Sequence, residues 1–134
     1  MQDYKKLRVW HAAVRLGLKV VDALPERTAR RVPGLRSQAI RAAMSVHSNL
    51  VEGCGRATRA ELLRYVEISI GSLKECEAHV FFARGAKVIP EGTHRFLQSD
   101  LIVVRRMLVS FQNTLQRAIA EEMSARTKRR SEAA

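Results

Sequence analysis

Between positions 35 and 56 the chain reads LRSQAIRAAMSVHSNLVEGCGR. At about 100° per residue its side chains divide into two unequal sectors. Ser37, Gln38, Arg41, Ser45, Ser48, Asn49 and Glu52 fall within roughly 120° of arc, and Leu35, Ala39, Ile40, Ala42, Ala43, Met44, Val46, Leu50 and Val51 occupy the rest. An apolar surface that broad must be covered on more than one side, by neighbours in one bundle, by another subunit, or by both. The pattern predicts a helix over 35–52 that stops at GCGR, Gly53 to Arg56, where a left-handed glycine is the common terminator.

Three further helices follow from the same period. Leu7, Trp10, Val14, Leu18, Val21 and Leu24 recur at steps of three and four, predicting an amphipathic helix over 5–24 with Asp3 as its N-cap and Pro25 as its stop. Gly17 within it costs about 1 kcal/mol relative to alanine, so the expected reason is a close backbone approach. Thr58 and Glu61 have the spacing of a capping box, which starts a helix over 59–84. Its buried face is expected to hold Leu62, Tyr65, Val66, Ser69, Leu73, Cys76 and Val80, widened by Leu63, Ile70 and Phe81, with Gly71 and Ser72 permitting close packing. Leu97, Leu101, Val104, Leu108, Phe111, Leu115 and Ile119 form the seam of a last helix over 92–124. The connection PERTARRVPG reads as a basic loop, and ARTKRRSEAA, 125–134, as a basic flexible tail. The whole is expected to be all-α, with one bundle over 1–124.

Charge adds a statement about partners. Twenty-four basic residues against 13 acidic give a formal net charge of +11, which favours nucleic acid first, an acidic protein second and an anionic membrane last. Cys54 and Cys76 have no CxxC partner and read as free thiols of a reducing compartment. The start MQDYKKLRVW has no apolar run of signal-peptide length, and no run of about 18 apolar residues occurs, so a cytoplasmic chain is expected.

Catalytic chemistry finds no foothold. His11, His47, His79 and His94 are scattered one to each predicted helix, and Glu75 with His79 has a spacing of four where di-metal bundles use ExxH. GCGR lacks the other residues of a phosphate-binding loop. Cys54 follows a helix C-terminus, where the dipole opposes a thiolate. No catalytic residue, metal or cofactor is expected. The neutral groups Gln38, Ser45 and Asn49 point instead to buried or interfacial hydrogen bonds, and Arg41 and Glu52 to ion pairs with neighbouring helices or another subunit.

The elements YKKLRVW, LRSQAIRAAMSVHSNLVEGCGR and ELLRYVEISIGSLKECEAHV resemble a bacterial four-helix-bundle family first named for proteins encoded in intervening sequences of large-subunit (23S) ribosomal RNA genes. Its run L-x-x-Q-x-x-R-A-A-x-S-[IV]-x-x-N-[IV]-x-E-G-x-x-R is met by Leu35, Gln38, Arg41, Ala42, Ala43, Ser45, Val46, Asn49, Val51, Glu52, Gly53 and Arg56. Its G-S-L-x-E-x-E segment is met by Gly71, Ser72, Leu73, Glu75 and Glu77, and its early L-x-V-W by Leu7, Val9 and Trp10. The likeness covers most of the chain but not the last helix and tail. It implies an up-down-up-down four-helix bundle similar to ring-forming relatives in which five subunits surround a channel. More distant are the accessory variability determinant proteins of diversity-generating retroelements, basic barrels that bind nucleic acid and a reverse transcriptase.

The expected function is therefore a non-enzymatic homo-oligomer, a pentamer by the resemblance, that binds RNA or another nucleic acid through phosphate contacts. Those contacts are assigned to Arg27, Arg30, Arg31, Arg36, Arg56, Arg59, Arg126, Lys128, Arg129 and Arg130. Packing and assembly are assigned to Gln38, Arg41, Ser45, Asn49, Glu52, Gly53, Gly71, Ser72 and Glu75. The alternative is an interaction module that docks onto a nucleic-acid enzyme or a ribosome-associated protein.

Overall fold

A computed structural model describes residues 2–134. After a 3-10 turn at Tyr4–Lys6 come α1 (Arg8–Ala23), α2 (Arg27–Arg31), α3 (Leu35–Cys54), α4 (Arg59–Gly85) and α5 (Glu91–Ala133), with no strand among the described residues. The four long helices pack in cyclic order: α1 lies against α3 and α5, α3 against α4, and α4 against α5. Polar contacts fix the directions. Arg84, Glu77 and Arg59, descending α4, meet Glu91, Arg105 and Glu122, ascending α5, so these helices are antiparallel. The result is the expected all-α, up-down-up-down bundle.

The core follows the predicted seams in three helices, except that Met44 of α3 and Phe81 of α4, expected on covered apolar faces, are 54% and 61% exposed. Ala39, Ala42, Ala43, Val46 and Leu50 of α3, Leu62, Val66, Leu73, Cys76 and Val80 of α4, and Leu97, Leu101, Val104, Leu108 and Leu115 of α5 are buried. In α1 the expectation is off by about 100° of rotation. The buried row is Val9, Ala13, Leu16 and Val20 with Ala12 and Gly17; of the expected row only Leu24, at the helix end, is buried, while Leu18 is 61% exposed and Leu7, Trp10, Val14 and Val21 are half-buried flanks. Both rows are apolar. The buried row includes the small residues Ala12, Ala13 and Gly17 beside Val9, Leu16 and Val20, so periodicity weighted by side-chain size favours the other row. Gly17 itself has only the His47 ring at 4.0 Å from where a Cβ would sit, so no close backbone accounts for it.

The ends of the elements differ from expectation in physical detail. Asp3 caps the 3-10 turn, accepting from the Lys5 N–H at 3.0 Å, and α1 begins only at Arg8. Within the expected basic loop, residues 27–31 form the single turn α2, pinned by the buried Thr28. Gly34, at φ 88°, is the left-handed glycine and it precedes α3, whereas Gly55 after α3 stays right-handed at φ −79°. Gly53 serves proximity: a Cβ there would lie 2.8 Å from the Tyr65 Cβ and 2.9 Å from Leu62 Cδ1. Thr58 caps α4 as expected, accepting from the Glu61 N–H at 3.2 Å.

The tail is helical. α5 continues to Ala133, and from Glu121 onward every residue is exposed. Its composition of alanine, glutamate, arginine and lysine propagates a helix that the buried seam has already nucleated. Because Arg59 at the start of α4 pairs with Glu122, the residues after Met123 run about 15 Å past the bundle end. No helix of the described residues is long and apolar enough to cross a membrane.

Candidate nucleic-acid interface

The ten cations assigned to phosphate contacts lie at opposite ends of the bundle. Arg27, Arg30 and Arg31 sit on and beside α2, all exposed, where Arg31 Nη1 donates to the Lys87 carbonyl at 3.4 Å. Arg36 belongs to the same end but has a structural task. Its Nε donates to the Leu24 carbonyl at 2.6 Å, satisfying a terminal acceptor where Pro25 stops α1. Arg56 and Arg59 follow or begin helices at the other end, roughly 30 Å away along the 20 residues of α3. Periodicity and charge alone do not separate these groups, because the separation comes from the direction of α3 and α4.

At the second end the α3–α4 turn and α5 enclose a cleft of about 810 Å³ whose wall includes Arg56, Thr58, Arg59, Glu122, Met123 and Arg126. Arg56 Nη2 donates to Glu52 Oε1 at 2.9 Å and to the Tyr65 hydroxyl at 2.8 Å, and its guanidinium lies 5.1 Å from the Tyr65 ring centroid. Arg59 pairs with Glu122 across the cleft. Both ion pairs are at least 43% exposed, so each contributes about 0–1 kcal/mol and yields readily to a stronger anion. Arg126 has no ion pair among the described residues. The N-terminus of α4 adds positive potential at the same place. Beyond the cleft Lys128, Arg129 and Arg130 continue along the projecting turns of α5, all exposed. Tyr65 and Glu122, which position Arg56 and Arg59, carried no signal in the sequence, since each acts across a tertiary contact.

The residues assigned to packing collect on the α3–α4 side. Ser45 Oγ meets Ser72 Oγ at 2.8 Å, and Asn49 Nδ2 donates to the Ser45 carbonyl at 2.8 Å and to its hydroxyl at 2.9 Å. The buried Ser69 hydroxyl donates to the Val46 carbonyl at 2.9 Å, a bond the sequence reading missed by treating Ser69 as an apolar-face residue. The neutral polar stripe is thus partly a seam within the chain. Gln38 and Arg41 remain exposed without a side-chain partner among the described residues, and Glu52 pairs within its own turn with Arg56. Glu75 Oε1 lies 3.4 Å from His79 Nε2. Gly71 does not provide close packing inside the bundle: nothing lies within 4 Å of the place a Cβ would occupy.

The remaining reactive groups are quiet. Burial pushes the Cys54 thiol up, aided by the Asp3 carboxylate, and burial with Glu75 and Glu77 nearby pushes Cys76 up to about 12. Both thiols are therefore neutral and poor nucleophiles near neutral pH. Burial lowers the pKa of His47, favouring its neutral form. Among the described residues no group of three or more histidine, cysteine or carboxylate side chains could hold a metal ion.

An all-α, antiparallel four-helix bundle defines the class. The chain belongs to the family of 23S rRNA-intervening sequence proteins, whose model matches residues 5–110. The match stops within α5, so the end of the cleft wall and the projecting turns lie outside it. A solved structure of a protein of unknown function from the S23 ribosomal protein family of Bacteroides thetaiotaomicron has the same fold, with a TM-score of 0.72 at 15% identity, covering 78% of this chain and 97% of that one. A search of curated proteins returns no match.

Proposed function

We propose that the protein is a non-enzymatic, homo-oligomeric bundle that binds structured RNA or another nucleic acid by its phosphates, at the end where α3, α4 and α5 meet. The observation that supports this most directly is the convergence of Arg56, Arg59 and Arg126 on one cleft that opens onto Lys128, Arg129 and Arg130. Guanidinium groups suit this task because their planar donors match two phosphate oxygens at once. Contacts of this kind fix position and supply affinity, and read no sequence directly. The test is filter binding of structured ribosomal RNA to the full chain and to Arg59→Gln/Arg126→Gln. The double variant should bind more weakly, with a log-log salt slope shallower by about 2. Unchanged affinity and slope would remove the cleft from the account.

A second reading has its own support. The α3–α4 side exposes Gln38, Arg41, Gly71 and Ile68, the last 42% exposed, and Gly71 lacks any neighbour that would explain a glycine. Contact with a second copy of the chain would explain it. Light scattering on the full chain and on Gly71→Leu distinguishes the cases. A mass that is a multiple of 15.1 kDa and falls in the variant supports assembly through this side; an unchanged mass refutes it.

A further inference from the structure

Arg95, Arg106, Arg117 and Lys128 recur along α5 at intervals of eleven residues. Eleven residues are close to three helical turns, so these cations form a row that drifts by only about 20° per step, with about 16 Å between neighbours and about 50 Å from end to end. All four are exposed, and none is in an ion pair among the described residues. The exposed positions on the same face between them are Ser99, Val103, Ser110, Asn113, Ala120, Glu121 and Ser124, so one carboxylate lies on the row, between Arg117 and Lys128. No carboxylate occurs anywhere from Leu101 to Ala120.

The acids that do occur on α5 are mostly turned to other use. Asp100 pairs with Lys19 of α1 at 2.6 Å, Glu91 with Arg84 of α4 at 3.6 Å, and Glu122 with Arg59. Glu121 and Glu132, both near the far end, are the two left without an ion pair. Arg8 lines the same shallow groove as Arg106 and Ser110, adding a cation beside the row from α1. The charge that neighbouring helices could have neutralised is therefore left facing outward.

We propose that this face of α5 is a track along which a nucleic-acid duplex lies lengthwise, held by its phosphates. The proposal rests on the nucleic-acid reading above and names the surface and the form of the ligand. A straight row of separated point contacts on a helix fits a stiff rod, and at 3.4 Å per base pair it spans about 15 base pairs. From Arg95 to Arg117 the spacers carry no charge, and most are small or polar groups that permit close approach. No aromatic side chain lies on the row itself to stack unpaired bases; Phe96 beside it is 57% exposed, with the Lys19 ammonium 4.6 Å from its ring centroid. Lys128 lies two residues beyond Arg126, about 200° around the helix from it, so the track and the end cleft occupy opposite sides of α5.

The test measures binding of a labelled RNA duplex of about 20 base pairs to the full chain across salt, for the wild type, Arg106→Gln/Arg117→Gln and Arg64→Gln/Lys74→Gln. The last pair removes the same charge from exposed positions on α4. The track predicts a slope shallower by about 2 for the α5 variant and a wild-type slope for the α4 variant. Equal losses in both would mean a net-charge effect and overturn the track. Tight wild-type binding that Arg106→Gln/Arg117→Gln leaves intact would also overturn it while leaving the cleft reading standing. A change of oligomeric mass in the α5 variant with binding unchanged would assign the row to protein contacts. No wild-type duplex binding at low salt, with structured ribosomal RNA still bound, would refute the duplex track alone; no binding of either would refute both proposals.

Discussion

A methyl group at position 53 would lie 2.8 Å from the Tyr65 Cβ, a distance that real Cβ atoms essentially never show, so something must shift. Gly53→Ala should therefore destabilise the fold by about 1–3 kcal/mol in chemical denaturation, as overpacking usually does. Gly71→Ala is the contrasting case. With open space around it in the bundle, that change should stabilise an isolated chain by about 0.5–1 kcal/mol through helix propensity alone. The sequence shows two glycines inside long polar-to-apolar patterns and no means of telling them apart. The distinction is made by Leu62 and Tyr65, which reach Gly53 across the turn. The cysteines give a pH-dependent prediction. The Cys76 pKa is raised from its ordinary value of 9.0 to about 12, so the folded state holds its proton more tightly than the unfolded one. That contribution to stability is complete below about pH 9 and is lost as pH rises towards about 12. Denaturation curves should therefore fall over this alkaline window, less steeply in Cys76→Ala. A thiol-specific reagent near pH 8 should leave Cys76 unmodified until denaturant is added.

Among the elements, α5 departs most from what its sequence suggested. The seam through Leu97, Leu101, Val104, Leu108 and Leu115 was legible because a leucine-rich period survives any choice of neighbours. The remainder of the helix was not, since residues 125–134 are polar all round and such composition reads equally as a solvated tail or as an exposed helix. α1 differs for the opposite reason: two apolar rows are available to it, and its neighbours bury the one through Val9, Ala13, Leu16 and Val20. A chain ending at Ser124 tests the account of α5. It removes Arg126, Lys128, Arg129 and Arg130 but no buried side chain, so its thermal midpoint should stay within a few degrees of the full chain. Its salt slope on RNA should become shallower by about 3–4. Loss of the cooperative melt would show that the projecting turns support the bundle after all.

For the whole molecule, fold and charge arise from different parts of the same helices. The buried rows and the Ser45, Asn49, Ser69 and Ser72 hydrogen bonds set the bundle, and the family pattern through α3 and α4 made that legible. The charge distribution was legible only as a total. Ten cations assigned as one set are divided between two ends, because antiparallel helices send residues adjacent in composition to opposite poles. A net charge of +11 would attract polyanions from any direction, but a cleft, a projecting helix and an aligned row concentrate it on one end and one side. The most direct test is the affinity of the full chain, stripped of nucleic acid, for structured ribosomal RNA as a function of salt. Engagement of six phosphates predicts a log-log slope near about −5. Affinity that does not change with salt, or no binding at about 50 mM salt where phosphate contacts are strong, would contradict it.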